Sequence, residues 1–354
     1  MRIAQIAPPV ERVPPEGYGG TERVVSFLTE ALVDLGHEVT LFASGDSRTR
    51  ARLRSVCPQS LRKMPDCRDY LPYFLLEIDA ALCLEAEFDL LHFHTEFLHF
   101  PLFRKEPNRA LTTLHFRLDT PEVSALFHGF PEMPVVAISE AQRGKLKHAR
   151  WVGTVHHGLP KNLYTLGTGA GGYLLFLGRI SQEKRPDLAI EIARRAGLDL
   201  IIAAKMDPRH DAEYIETVRP LLSLPHVHFL GEVSEREKQA LIGDAVAMLF
   251  PINWPEPFGL SAIEALACGT PVIAFPYGAI PEILEPGTTG LLVQNVEEAA
   301  RAVPVAAGLS RKQIRLSFER RFTAERMAKD YLAIYETLLG QRPGSIPPPF
   351  PVKA

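Results

Sequence analysis

Arg2-Ile3-Ala4-Gln5-Ile6, then Thr21-Glu22-Arg23-Val24-Val25-Ser26-Phe27-Leu28-Thr29-Glu30-Ala31-Leu32-Val33-Asp34-Leu35, then Glu38-Val39-Thr40-Leu41-Phe42 open the chain. Two short apolar runs bracket a stretch of helical length, and Gly36 punctuates the helix end. That is the rhythm of a βαβ unit and so of a parallel sheet. The same alternation predicts further strands at Asp89 to Phe93, Ala110 to Leu114, Pro134 to Ile138 and Trp151 to His156, completing a first domain over residues 1–158. A second series runs through Tyr173 to Gly178, Leu200 to Ala204, His226 to Leu230, Ala247 to Pro251, Pro271 to Phe275 and Gly290 to Val293, a second doubly wound sheet over residues 173–322. Residues 159–172, rich in Gly and Thr, read as a linker. The fold class is therefore α/β, two Rossmann-like domains expected to face each other across a cleft.

At the C-terminal end, Met327, Tyr331, Ile334, Tyr335 and Leu338 recur at helical spacing with Thr323 placed as N-cap. They predict a closing helix over 323–340 that packs back on the first domain. The tail, 341–354, contains Pro343, Pro347, Pro348, Pro349 and Pro351 and is expected to be loose.

The 354 residues exceed the ~250–300 at which one core usually stops growing, so two domains are expected. A net charge of -3 argues against nucleic acid as a partner. Cys57, Cys67, Cys83 and Cys268 form no Cys-x-x-Cys pair, which argues against a zinc ribbon and a disulfide framework and fits a reducing cytosol. No run approaches ~20 apolar residues, so a cytoplasmic protein is expected, with peripheral contact at the inner face of a membrane left open.

Gly167-Thr168-Gly169-Ala170-Gly171-Gly172 matches the G-x-G-x-x-G spelling of a dinucleotide site. The order is wrong for one, because a strand follows where a helix is needed to meet the pyrophosphate. His92 and His94 point to one face of an extended strand and, with His99, invite a metal reading. No carboxylate or cysteine set at ligand spacing accompanies them, so no metal site is expected.

The most informative segment runs Trp254-Pro255-Glu256-Pro257-Phe258-Gly259-Leu260-Ser261-Ala262-Ile263-Glu264-Ala265-Leu266-Ala267-Cys268-Gly269-Thr270-Pro271-Val272. A strand ending near Pro251 and a helix starting near Phe258 place Glu256 in the turn at the carboxyl end of a strand. The free N–H groups of Phe258, Gly259, Leu260 and Ser261 would suit a pyrophosphate. Glu264, two helical turns beyond Glu256, can accept from a ribose diol. The bland reading makes Glu256 a charge complementing the helix dipole and Glu264 a solvated helix residue, and spacing leaves both readings open.

These surroundings, Pro-Phe-Gly-Leu and Ala-x-x-Cys-Gly-Thr-Pro-Val, resemble glycosyltransferase family 4, whose members have the GT-B architecture and are retaining, metal-independent enzymes using nucleotide-sugar donors. The resemblance places the donor-sugar contact on Glu256 and the ribose contact on Glu264. It makes Arg179 and Lys184, in Phe176-Leu177-Gly178-Arg179-Ile180-Ser181-Gln182-Glu183-Lys184-Arg185-Pro186, the pyrophosphate pair; fixed cations there stabilise a departing diphosphate without a metal. Gly19 and Gly20, between the first strand and first helix, match the family's glycine pair, and His115, ending Leu111-Thr112-Thr113-Leu114-His115, resembles its cleft histidine that contacts the transferred sugar. The base is expected near Glu232 and Val233. The chain departs from the family at Ala203-Ala204-Lys205-Met206-Asp207, where a glycine-containing turn is common; Lys205 either adds a phosphate contact or marks a different loop.

The resemblance implies hexosyl transfer from a nucleotide sugar, UDP-glucose favoured and GDP-mannose possible, to a sugar, lipid-linked glycan or small metabolite, with no cofactor beyond the donor. The alternative is a catalytically silent nucleotide-sugar sensor or partner protein.

Overall fold

The computed structural model describes residues 1–17 and 19–340, so the expectation for the tail at 341–354 falls outside the described residues. The chain divides into two compact units, Met1–Gly158 together with the chain from Ala324, and Leu159–Thr323.

The first unit is built on β1 (Arg2–Ile6), β2 (Glu38–Phe42), β3 (Arg52–Arg54), β4 (Leu90–Phe93), β5 (Ala110–Thr113), β6 (Pro134–Ala137) and β7 (Arg150–Thr154). They form one seven-stranded sheet in the order β3-β2-β1-β4-β5-β6-β7, parallel throughout. Every residue of β4, β5 and β6 is buried, as a parallel sheet covered on both faces requires. β3 was not expected: Arg52-Leu53-Arg54 carries one apolar residue between two charges. It is a short charged edge, held by pairing of Leu53 with Leu41, of the kind that discourages pairing with another chain.

The helix Ala324–Gly340 belongs to this unit. Its Tyr335 hydroxyl accepts from Gln5 Nε2 at 3.2 Å and lies 2.7 Å from His92 Nδ1, and Tyr331 meets Thr113 at 2.8 Å. Gln5, His92 and Thr113 stand on β1, β4 and β5. This helix is thus hydrogen-bonded to the middle of the sheet.

The second unit carries β8 (Tyr173–Arg179), β9 (Asp199–Lys205), β10 (Val227–Gly231), β11 (Ala247–Phe250), β12 (Val272–Ala274) and β13 (Gly290–Leu292). The order is β10-β9-β8-β11-β12-β13, again all parallel. Leu174, Phe176, Ile202, Leu249 and Ile273 fill its core against the helices Pro186–Ala196 and Val296–Ala307.

The segment read as a linker packs onto the second unit. Gly167 N–H donates to Cys268 O, Gly169 to Gly243 O and Gly171 to Asp244 O, at 2.9, 3.0 and 2.9 Å, and Arg311 reaches Gly167 O at 3.1 Å. These glycines serve close backbone approach, not a dinucleotide: a Cβ on Gly167 would lie 2.1 Å from the carbonyl oxygen of Gly243. Gly167→Ala is therefore expected to destabilise the protein by about 1–3 kcal/mol, read by urea denaturation, because the colliding atoms are backbone and cannot rotate away.

Candidate functional site

In the second unit the strand order reverses between β8 and β11, and in an open α/β sheet the crevice at the carboxyl ends of such strands is the ligand position. Arg179, the last residue of β8, stands there, the loop after it brings Lys184, and the loop after β11 brings Glu256. Lys184 precedes Arg185, whose backbone is left-handed (φ 54°, ψ 54°), an uncommon state for a residue with a Cβ. The Arg185 guanidinium is anchored to Asp187 at 2.7 Å, and Asp187 also accepts from the Tyr214 hydroxyl at 2.6 Å. This fixed turn starts the helix Pro186–Ala196 and sets where Lys184 projects.

Lys184 Nζ lies 2.5 Å from Glu256 Oε2, and Trp254 Nε1 donates to the same oxygen at 2.9 Å. The ammonium also sits 5.7 Å from the Phe250 ring centre and 5.6 Å from that of Trp254, within cation–π range. Glu256 is held through its backbone: its carbonyl accepts from Ala279 N–H at 2.9 Å, and Gly278 (φ +59°) presses so closely that a Cβ there would lie 2.2 Å from that carbonyl oxygen. Arg179 ends β8 but is not free: its guanidinium is 3.2 Å from both Glu183 and Asp211. Lys205 ends β9 in register with Arg179, its ammonium 3.9 Å from Asp207.

The helix expected from Phe258 begins at Leu260 and runs to Ala267. Gly259 caps it with φ +100°, a conformation that suits glycine, and prolines flank Glu256. Glu256 therefore lies in the loop that precedes the helix, and Glu264 lies within the helix. Leu260 and Ser261 open the helix, where N–H groups lack a carbonyl one turn back, whereas Ala262 N–H already bonds Gly259 O at 3.0 Å. Phe258 is buried, with its ring edge-on to Phe322.

Glu264 is buried and salt-bridged to Lys238 at 2.7 Å, and Lys238 also reaches Glu235 at 3.0 Å. It is not the solvated residue of the bland reading. Lys238 went unnoticed in the sequence, yet Ser234-x-x-Glu237 is a capping box that starts its helix and fixes its first-turn position. Glu232, exposed, and Val233 lie between β10 and that helix, at the carboxyl edge of the same sheet.

In the first unit, Gly19 caps and Gly20 begins the helix Gly20–Asp34. A Cβ on Gly19 would meet Pro15 at 2.8 Å, and burial pushes the nearby Glu22 carboxyl up to about 7. His115 follows β5. Its Nε2 lies 2.9 Å from His94 Nδ1, while His94 Nε2 lies 2.8 Å from Gln5 Oε1. Since that amide oxygen only accepts, His94 carries its proton on Nε2 and accepts at Nδ1, so His115 donates from Nε2 and keeps Nδ1 as an acceptor. Burial lowers the His115 imidazole to about 3, so it is neutral near pH 7. Glu96, just after His94 and Thr95, is left-handed (φ 62°), a second strained position at the end of β4 that sequence reading passed over.

His92, His94 and His99 do not converge as ligands. His92 is engaged at both nitrogens, by Tyr335 and by Thr113 at 2.7 Å each, and His99 stacks on Phe93 with Nε2 2.9 Å from Thr112. Among the described residues no group of three or more His, Cys, Asp or Glu is arranged to hold a metal ion, and no helix is long and apolar enough to cross a membrane.

Burial holds His92 well below the usual imidazole range. Its folded pKa is depressed, so the unfolded chain takes up the proton first: this contribution to stability is complete above about pH 6.5 and is lost as pH falls below it. The raised carboxyls of Glu22 and Glu77 act in the opposite sense. His92→Gln isolates the imidazole, and its stability loss between pH 6.5 and 5.5 is expected to be smaller than that of the parent by about 1 kcal/mol in urea titrations.

Two family models match the chain: Glycosyltransferase Family 4 over residues 18–134 and Glycosyl transferases group 1 over residues 169–314. A D-inositol 3-phosphate glycosyltransferase of Geodermatophilus obscurus is 28% identical over 186 residues, 46% of this chain and 39% of that protein. The chain spans about a third of the length of the curated relatives it matches. Among solved structures, a glycosyltransferase involved in avilamycin A biosynthesis superposes with a TM-score of 0.74 at 25% identity, over 96% of this chain and 98% of that one. Sucrose-phosphate synthase from Thermosynechococcus elongatus gives a TM-score of 0.75 at 22% identity, over 95% and 98%. The two parallel-sheet α/β units match the GT-B fold of these proteins.

Proposed function

Since the chain belongs to the glycosyltransferases that join a Family 4 domain to a group 1 domain, we propose that it is a retaining, metal-independent hexosyltransferase acting on a nucleotide-sugar donor. The observation that carries this reading is the Lys184–Glu256 pair at the β8/β11 reversal, beside the first N–H groups of the helix Leu260–Ala267. A diphosphate placed there would meet a cation and the positive end of a helix dipole. Glu256 would accept from sugar hydroxyls and Glu264 from the ribose diol, while Glu232 and Val233 border the base.

On this reading the acceptor oxygen bonds the anomeric carbon on the face from which the diphosphate departs. The nucleoside diphosphate leaves with the bonding pair and takes the acceptor proton on its own oxygen, so no protein base is required. Lys184 and Arg179 stabilise the developing charge, Lys205 being placed to add to it, and neutral His115 offers Nδ1 to a sugar hydroxyl. UDP-glucose is the favoured donor and GDP-mannose the second. The acceptor is a sugar, a lipid-linked glycan or a small metabolite, and the protein acts in the cytoplasm or at the inner face of a membrane.

Calorimetric titration with UDP, GDP, UDP-glucose and GDP-mannose, in the presence of EDTA, tests the donor. One nucleotide class should bind, and Glu264→Gln should weaken it about 10- to 100-fold by removing a charged acceptor. No binding to any of the four removes the donor assignment, and binding without turnover over a broad acceptor panel favours the silent sensor.

A further inference from the structure

Gln5 is a fully buried amide in β1, between Ala4 and Ile6 and in register with Leu41 of β2 and His92 of β4. Burying an amide is costly unless its ends are hydrogen-bonded, and here both are. Its Oε1 lies 2.8 Å from His94 Nε2, and its Nε2 donates to the Tyr335 hydroxyl at 3.2 Å.

Imidazoles and hydroxyls can each donate or accept, so a string of them has no direction of its own, whereas the two ends of an amide are fixed as acceptor and donor. Gln5 therefore orders the groups on either side of it. Because the Tyr335 oxygen accepts from Gln5, its proton goes to His92 Nδ1 at 2.7 Å, and His92 donates from Nε2 to the Thr113 hydroxyl at 2.7 Å. On the other side His94 donates to Oε1 and accepts at Nδ1 from His115 Nε2 at 2.9 Å. Burial keeps all three imidazoles neutral, so each holds one proton and the order is complete.

The string ends at His115, which is half-buried with one ring face stacked on His157, and whose Nδ1 has no hydrogen-bond partner among the described residues. A bare nitrogen lone pair accepts from a hydroxyl and opposes a phosphate or carboxylate oxygen. Moving the proton to Nδ1 would reverse that preference. The sorting of hydroxyls from acceptor-only oxygens at His115 is thus set from β1 and, through Tyr335, from the helix Ala324–Gly340.

We propose that Gln5 is a positioning residue: through His94 it holds the His115 proton on Nε2 and leaves Nδ1 to accept from a ligand hydroxyl. That this hydroxyl belongs to the transferred sugar rests on the glycosyl-transfer reading; the control of His115 by Gln5 does not.

The test is NMR of isotope-labelled histidine ring nitrogens on the full chain at neutral pH, with His115 assigned by the signals lost in His115→Gln. In the parent, His115 should be protonated on Nε2 alone. Gln5→Met keeps the length of the side chain and removes both polar ends, so it should introduce a measurable fraction of the Nδ1-protonated form, with the two ring nitrogen shifts moving towards each other. Thermal melting establishes that the variant is folded. His94→Leu leaves Gln5 in place and should have the same effect, and it decides the matter if Gln5→Met does not fold. Turnover of the nucleotide sugar by Gln5→Met should fall about tenfold as a donor comes to face a donor, with UDP affinity within twofold of the parent. An Nδ1 proton in the parent, an unchanged His115 spectrum in the folded variant, or full turnover despite a changed spectrum overturns the proposal. Absence of turnover in the parent would instead remove the glycosyl-transfer reading, and the spectra alone would decide the role of Gln5.

Discussion

Lys184→Met is expected to lower turnover of the nucleotide-sugar donor by about 10²- to 10³-fold, the usual effect of removing one fixed group that stabilises developing negative charge. The substitution keeps most of the aliphatic stem that packs near Phe250 and Trp254 and removes only the ammonium, so the loss reports charge and not packing. It also leaves Glu256 with the Trp254 N–H at its Oε2, turning a balanced pair into an anion beside the position proposed for the diphosphate. Arg179→Ala should do less, because Glu183 and Asp211 already offset that guanidinium. Steady-state kinetics with the best acceptor, alongside thermal melting to establish that the variant is folded, make the comparison. Turnover of folded Lys184→Met within tenfold of the parent would remove Lys184 from the mechanism.

That experiment turns on contacts of which only some could be read from residue order. β1 and β2 have the bounds their apolar runs predicted, because a fully buried parallel strand writes itself as a short apolar run between turn residues. β3 was invisible, since an edge strand of Arg52-Leu53-Arg54 owes its conformation to its neighbour β2 and not to its own composition. The glycines at 167–172 read as a linker by composition, while the approach of another backbone segment at Gly243 has no signature in residue order.

The candidate site divides along the same line. Arg179, Lys184, Glu256, Gly259 and Glu264 stand in local motifs that can be recognised from residue order. Lys238, Trp254, Gly278 and the His94–His115 link act through partners distant in sequence or through loop geometry, and a single chain read in order contains no measure of those distances. The turn position of Glu256 could be read from residue order, whereas the start of the helix at Leu260 is set by the left-handed Gly259 before it.

Gly278→Ala follows from the same geometry and should separate positioning from binding. The new Cβ would lie 2.2 Å from the Glu256 carbonyl oxygen and 2.4 Å from its nitrogen, and alanine would also have to adopt a φ of +59°. Left-handed backbone costs about 1–2 kcal/mol and the steric insertion about 1–3 more, so denaturation should show a loss of about 2–5 kcal/mol. Because the colliding atoms belong to the Glu256 peptide, relief must come from moving that residue, and a displacement of about 1 Å in a reacting constellation is enough to lower kcat about 10²-fold. The helix Leu260–Ala267 and the Glu264–Lys238 pair have separate anchors, so the dissociation constant for the nucleoside diphosphate should stay within a few-fold of the parent. A parallel loss of nucleotide affinity and turnover would mean that Gly278 supports the whole nucleotide site; unchanged turnover would mean that the position of Glu256 does not govern the reaction.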